Sequence, residues 1–356
     1  VDPQMCGIAG FGNCQIMMPS KGVHTCIDFH GKTPLSANEN MWEDLIISET
    51  RDGFGFVLEG NVNDLGYQSV TTPGSLKAYH EAVTDFGTWD WSDIIKPAIK
   101  QAEEGFIVRP HVDFFWNYGA DFGRVGVEER LKFSKTGREA YFNTSGNLKR
   151  IGDRVKILGM DETLKKIAKF GPDIFYKGEI AERISEDMLA NGGLMSYSDL
   201  SSYATTRTNP LSSKYRNFDI HANHPPGGGV MLLEMLNILE NFNLRDMTHN
   251  SSEYIRIVSE SMKRATLDKE MFVGDPLFID VPLEKLLSKE YASEVSNKIK
   301  KNERVGYDGR AIADKDMIIA TIYLGYADGL PLAIKDGTEV MINNQIAKVF
   351  GRVSMD

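Results

Sequence analysis

The sequence predicts an α+β chain in two pieces, 1–303 and 304–356, and three observations predict it. Apolar residues recur at helical spacing in several segments between about 75 and 301. Short apolar runs with Gly and Pro punctuation precede and separate those segments, as strands do. Beyond residue 316 the texture changes to short strands at close spacing, so a small all-β piece is expected there, joined near Arg304. The 356 residues suffice for about two domains, and 42% hydrophobic with 25% charged residues is a mix that buries a core.

Taken in order, residues 7–11 and 23–29 read as strands. Thr72-Pro73-Gly74 is a turn feeding a helix from about Ser75. Residues 94–104 read as a helix despite Pro97. The span 160–190 is helical twice over, with Gly171-Pro172 between and Gly192-Gly193 as a cap. Residues 211–220 form one strand in this reading, before HANHPPGGG. The run VMLLEMLNILENF is apolar on nearly every side and predicts a buried helix. Residues 251–267 start a further helix on a Ser-Ser pair with Glu253 in its first turn. Residues 283–301 are helical, and KIKKNER is the candidate domain boundary. MIIATIYL, EVMI and IAKVF follow as strands with Asn and Gly turns between them.

Fifty acids against 40 bases leave a net charge of −10, which argues against a nucleic-acid partner. No apolar run approaches the ~18 residues of a membrane span, and no signal-peptide pattern opens the chain. Neither a membrane partner nor a compartment is assigned on this basis. Cys6, Cys14 and Cys26 are an odd set without zinc spacing, expected as thiols without a role. An opening at Val1 and a close at GRVSMD suggest a fragment or a processed product.

Seven strings carry a resemblance: MCGIAGFG, CIDFHGKTP, VTTPGSLKAYHE, ETLKKIAKFGPDIFYKGEIAERI, GGLMSYSDLSSY, HPPGGGVMLLEMLNILENF and MFVGDPLFIDVPLEKLLSKEYA. In this order and at these separations, residues 1–303 resemble the large-subunit region of the gamma-glutamyltranspeptidase family. The resemblance implies partial αββα layers of the N-terminal nucleophile hydrolase type. It also implies a precursor that cuts itself, freeing a Thr whose hydroxyl attacks an amide carbonyl with its own α-amine as base. A small subunit is the implied partner, a small-molecule amide or amino-acid derivative the implied substrate, and no cofactor is expected.

Two departures qualify this. The family's nucleophile stands in a Thr-Thr-His context after the GDP motif. Here Gly274-Asp275-Pro276 is followed by no such string, and the later threonines are Thr321 and Thr338. The oxyanion-hole glycines belong to the small subunit too, so no turnover is expected from this chain alone. Where transpeptidases carry an Arg that clamps the glutamyl α-carboxylate, this chain has His30. Arg offers a permanent, bidentate charge and His does not, so another acyl substrate is implied, with His30 either in its pocket or a structural hydrogen-bonding group.

Other features have both readings. Gly227 and Gly228, in the Pro225–Gly229 run before a helix, are either substrate-binding backbone or a tight turn, without the Lys and Ser/Thr of a P-loop. His221-x-x-His224 lacks a third ligand, and no metal site is assigned. Thr71-Thr72 is too early to be the nucleophile, and Trp89 and Trp91 read as packing residues.

From Val305, VGYDGRAIADKDMIIATIYLGYADG and IAKVFGRVSMD resemble the C-terminal β-domain of alanine racemase. The resemblance implies that Tyr307 matches a racemisation base, Tyr326 lines the substrate entrance, and Met355 and Asp356 close the carboxylate site. Pyridoxal phosphate would be needed only if a racemase barrel domain were supplied. A plain packing role is the other reading of both tyrosines. The expectation is therefore a chimeric or truncated chain with exposed edge strands that favour aggregation.

Overall fold

The computed structural model describes residues 7–50, 55–119, 124–300, 338–342 and 345–349. The chain divides into two compact units, one of residues up to Ile16 with Thr25–Thr208, the other of Met17–His24 with the chain from Asn209.

In the first unit, β1 (Gly12–Met18) and β2 (Val23–Phe29) lie in a sheet of order β1-β2-β7 with β7 (Thr206–Thr208). Cys26 pairs antiparallel with Thr208 and Asp28 with Thr206. Two short antiparallel pairs accompany it, β3 (Ile46–Glu49) with β4 (Phe56–Leu58) and β5 (Phe106–Ile107) with β6 (Arg154–Val155). The expected strand at 7–11 is instead a turn, because the carbonyl of Gly10 accepts the N–H groups of Gly74 (2.9 Å) and Ser75 (3.0 Å). A helix start elsewhere in the chain satisfies that backbone, so no ladder forms.

The helices of this unit are α1 (Ser75–Phe86), α2 (Trp91–Glu104), α3 (Pro110–Trp116), α4 (Val127–Lys132), α5 (Lys135–Tyr141), α6 (Met160–Phe170), α7 (Asp173–Tyr176), α8 (Glu179–Ala190) and α9 (Tyr197–Ser202). Leu76, Ile95, Leu164, Ile167, Phe175 and Leu200 form their main core. A second cluster gathers Val108, Val112, Trp116 and Leu131. Each such buried side chain contributes roughly 1.5–3 kcal/mol. Trp91 packs as expected and donates Nε1–H to the Ile167 carbonyl at 3.0 Å, whereas Trp89 is exposed.

In the second unit, β8 (Leu211–Tyr215) and β9 (Phe218–Ala222) form an antiparallel hairpin with Tyr215 opposite Phe218. The sequence reading made this a single strand. The turn at Arg216-Asn217 carries no Gly, and Arg216 takes a φ of 55°, so the usual hairpin marker is missing. Helix α10 (Gly229–Leu239) is buried along most of its length, although Leu232 is exposed. It packs with α11 (Ser252–Phe272), capped where Ser251 Oγ accepts the Tyr254 N–H at 3.3 Å. The expected helix at 283–301 breaks into α12 (Leu283–Leu286) and α13 (Lys289–Lys300), where Ser288 Oγ accepts the Tyr291 N–H at 3.1 Å. The hydroxyl offers the backbone an alternative to the next helical bond, and the break follows.

The strands expected at EVMI and IAKVF are an antiparallel pair, β10 (Glu339–Ile342) with β11 (Gln345–Lys348). The strand expected at MIIATIYL lies outside the described residues. Among the described residues, no helix is long and apolar enough to cross a membrane.

Candidate functional site

Residue His30 follows β2 directly, two positions after Asp28, and strand geometry turns side chains at i and i+2 to the same face. Both Asp28 oxygens lie within hydrogen-bond reach of His30 Nδ1, at 2.8 and 2.9 Å, and Oδ1 also accepts the His30 backbone N–H at 3.0 Å. A carboxylate opposite Nδ1 selects the tautomer with its proton there. Nε2 is then an acceptor in the neutral ring and a donor in the imidazolium. The His30 side chain is 34% exposed against 16% for Asp28, so the ring reaches solvent while its anchor is half-buried. Phe11, itself exposed, stacks on the ring with centroids 6.3 Å apart.

The backbone beneath is held from α9 and the 71–75 loop. Tyr203 Oη donates to the His30 carbonyl at 2.9 Å. Burial, and then the negative charge of Asp28, push the Tyr203 phenol above its ordinary range, so the donor stays protonated. Lys32 and Thr72 exchange backbone hydrogen bonds at 3.1 and 2.8 Å, and Tyr176 Oη donates to the Pro73 carbonyl at 2.9 Å. A Cβ on Gly74 would stand 2.0 Å from Tyr203 Oη, and one on Gly31 would stand 2.1 Å from Thr71 Oγ1. The TTPGS string is thus the clamp beside His30. Lys32 lies over the Tyr203 ring at 5.2 Å, adding a positive charge to this wall.

In the second unit, the loop before α10 carries Gly227 and Gly228. The Gly227 N–H already donates to the His224 carbonyl at 3.0 Å, and a Cβ there would meet Asn223 Nδ2 at 1.8 Å. Its glycine has a packing reason. Gly228 has nothing within 4 Å of an added Cβ, so the space at this position is open. A groove of about 440 Å³ borders the loop, lined by His224, Pro225 and the segment from Pro276 to Val281 with Leu283. Leu277 and Phe278 are 80% and 84% exposed there.

His221 stacks edge-on with His24 at 4.4 Å and bonds Ser212 Oγ through Nδ1 at 2.9 Å. Tyr307, Tyr326, Met355 and Asp356 lie outside the described residues. The sequence reading gave Asp28, Tyr203 and Thr72 no role in holding His30. The D-x-H spacing on a strand was the signal for Asp28, whereas Tyr203 is 173 positions from the carbonyl it holds and had none.

The family described as Gamma-glutamyltranspeptidase matches residues 1–328, past the texture change at Arg304. The chain is 31% identical over 291 residues to a glutathione hydrolase proenzyme of Pseudomonas sp. (strain A14), covering 81% of this chain and 48% of that protein. It is 32% identical over 297 residues to an acylase ACY 1 proenzyme of Pseudomonas sp. (strain V22), covering 82% and 50%. The crystal structure of Helicobacter pylori gamma-glutamyltranspeptidase superposes with a TM-score of 0.74 at 29% identity, covering 83% of this chain and 80% of that one. The chain spans about half the length of the curated relatives it matches.

Proposed function

The chain belongs to the gamma-glutamyltranspeptidase family and shares its mixed α/β fold, and from that premise we propose that it forms the acyl-binding part of an amide hydrolase or acyltransferase. The observation that carries this reading is the Asp28–His30 pair, a partly exposed ring oriented by a carboxylate. In its imidazolium form, His30 would donate Nε2–H to an acyl-side carboxylate, and Lys32 would add a fixed charge nearby. A single ring donor lacks the bidentate fork of a guanidinium, so an acyl group other than γ-glutamyl is favoured. Gly228 is assigned to the substrate loop because its space is open, and Gly227 to the support of that loop.

The hydroxyl nucleophile and the oxyanion-hole donors would come from a small subunit, and no Thr-Thr-His string follows Gly274-Asp275-Pro276 here. The chain alone should therefore bind acyl compounds without turning them over, and it needs no cofactor. A second reading concerns the segment after 304. The strings GYADG and GRVSMD, with the antiparallel β10–β11 pair, support a racemase-like tail whose Tyr307 would act only beside a pyridoxal phosphate barrel.

The test is a titration of the purified chain with glutarate and with a neutral acyl amide, following the His30 ring by NMR, alongside γ-glutamyl anilide turnover and alanine racemisation. Binding of the carboxylate ligand that disappears in His30→Ala, with no turnover and an intact mass of 39.8 kDa, is expected. Equal binding of both ligands by the His30→Ala chain would remove the assignment.

A further inference from the structure

Residue Glu234, in the middle of the buried helix α10, is 1% exposed, and neither of its carboxyl oxygens has a hydrogen-bond partner among the described residues. A bare carboxylate in an apolar interior carries a large desolvation cost unless donors or cations offset it. Its neighbours add to that cost. Burial first, and then the negative charge of Asp268 on α11, raise the pKa of Glu234 well above the carboxylate range. Asp268 in turn accepts the Tyr291 Oη–H from α13 at 2.6 Å. Tyr291 thus takes up one side of Asp268, and Glu234 is the member that keeps the proton. Two carboxyl groups hold only acceptors when ionised, so one proton between them supplies the donor that Glu234 lacks.

We propose that Glu234 and Asp268 share one proton between α10 and α11, with Tyr291 as the third member, and that losing this proton in alkaline solution loosens the helical layer.

Other charged groups on the packed elements do not offset the pair. On α11, Arg264 faces Glu260 at 3.6 Å. On α13, Lys289 bonds Asn237 and Glu240, and the charge of Glu294 acts on Tyr291 in the same sense as that of Asp268. On α12, Lys285 lies 5.1 Å over the Tyr291 ring. On β8 and β9, Lys214 and Asp219 face each other at 3.9 Å, and His221 is bonded to Ser212.

The sign follows from linkage. Above an unfolded value near 4.5, the unfolded chain has released this proton while the folded chain retains it. Stability therefore falls as pH rises, by about tenfold in the folding constant per pH unit for this one group, until the folded pair itself titrates. The experiment is urea unfolding of the full chain between about pH 5.5 and about pH 8.5, wild type against Glu234→Gln and Asp268→Asn. Glu234→Gln should flatten the profile by about one proton and match or exceed wild type at the alkaline end. Parallel profiles for wild type and Glu234→Gln would overturn the proposal. Should the variants fail to fold, the infrared spectrum of the wild-type chain decides. A neutral carboxylic acid C=O band persisting on the alkaline side of neutrality is expected, and its absence overturns the idea. Stabilisation of wild type but not of Glu234→Gln by an added divalent cation would also overturn it, since a metal rather than a proton would then join the acids.

Discussion

The hydroxyl of Tyr203 donates to the backbone carbonyl of His30 at 2.9 Å across 173 positions of sequence. That bond ties the first residue after α9 to the first residue after β2. It fixes the backbone from which the His30 ring projects, while Asp28 fixes the ring itself.

Tyr203→Phe should cost ~1 kcal/mol of stability, the net value of one hydrogen bond. Gly74→Ala should cost more, roughly 1–3 kcal/mol, because its methyl would enter the space of Tyr203 Oη and the Phe29 carbonyl at 2.6 Å. Urea midpoints for the two variants give the order, and a Gly74→Ala chain as stable as wild type contradicts the packed clamp.

Asp28→Asn keeps the shape of the anchor and removes its charge. The imidazolium form of His30 loses its partner, so affinity for an acyl-side carboxylate should drop about tenfold, near 1.5 kcal/mol for a charge-assisted bond. Ring ¹⁵N shifts should report a mixed tautomer in place of the Nδ1-protonated form. Unchanged affinity together with an unchanged tautomer would mean that Asp28 is a strand residue without influence on the ring.

Asp199 supplies an acid-side prediction. Burial works to raise its pKa, but hydrogen bonds from the Ser196 hydroxyl (2.6 Å), the Leu35 N–H (2.6 Å) and the Ser196 N–H (2.7 Å) outweigh it, and the value falls below the usual 3.8. Because the folded value is depressed, its stabilisation is complete above about pH 3.8 and is lost as pH falls through the folded value. Asp199→Ala should cost ~2 kcal/mol near neutrality through the lost cap of α9. Its midpoint should approach that of wild type in acid, and a constant gap down to the acid limit would contradict the linkage.

The two loop glycines should separate. Gly227→Ala meets Asn223 Nδ2 at 1.8 Å and should destabilise the second unit, whereas Gly228→Ala meets nothing within 4 Å and should leave melting unchanged. If Gly228 belongs to the substrate loop, its variant should weaken acyl binding without a change in melting temperature. Calorimetry and ligand titration on the same preparations distinguish the two.

Much of the helical layer was legible in the residues. The apolar spacing of DETLKKIAKF and IAERISEDMLA places α6 and α8 almost to the residue, and the Ser251 cap marks the start of α11. The misses share one cause. Residues 7–11 pair with a distant helix start, the Arg216 N–H of the glycine-free β8–β9 turn donates to the Glu240 carboxylate, and the α12–α13 break rests on one serine hydroxyl. In each, a hydrogen bond to a specific partner decided the backbone, and local composition does not record that partner.

By itself the sequence determined the family of the chain, the helical segments, and the candidacy of His30 and of the loop glycines, because motif order and 3.6-residue periodicity are local properties written in the residue types. Only the tertiary structure decided that Asp28 orients His30, that Tyr203 anchors it, and that Glu234 is buried with neither carboxyl oxygen partnered among the described residues. Those relations depend on which distant residues meet once helices and strands pack, and on the low dielectric that packing creates around them.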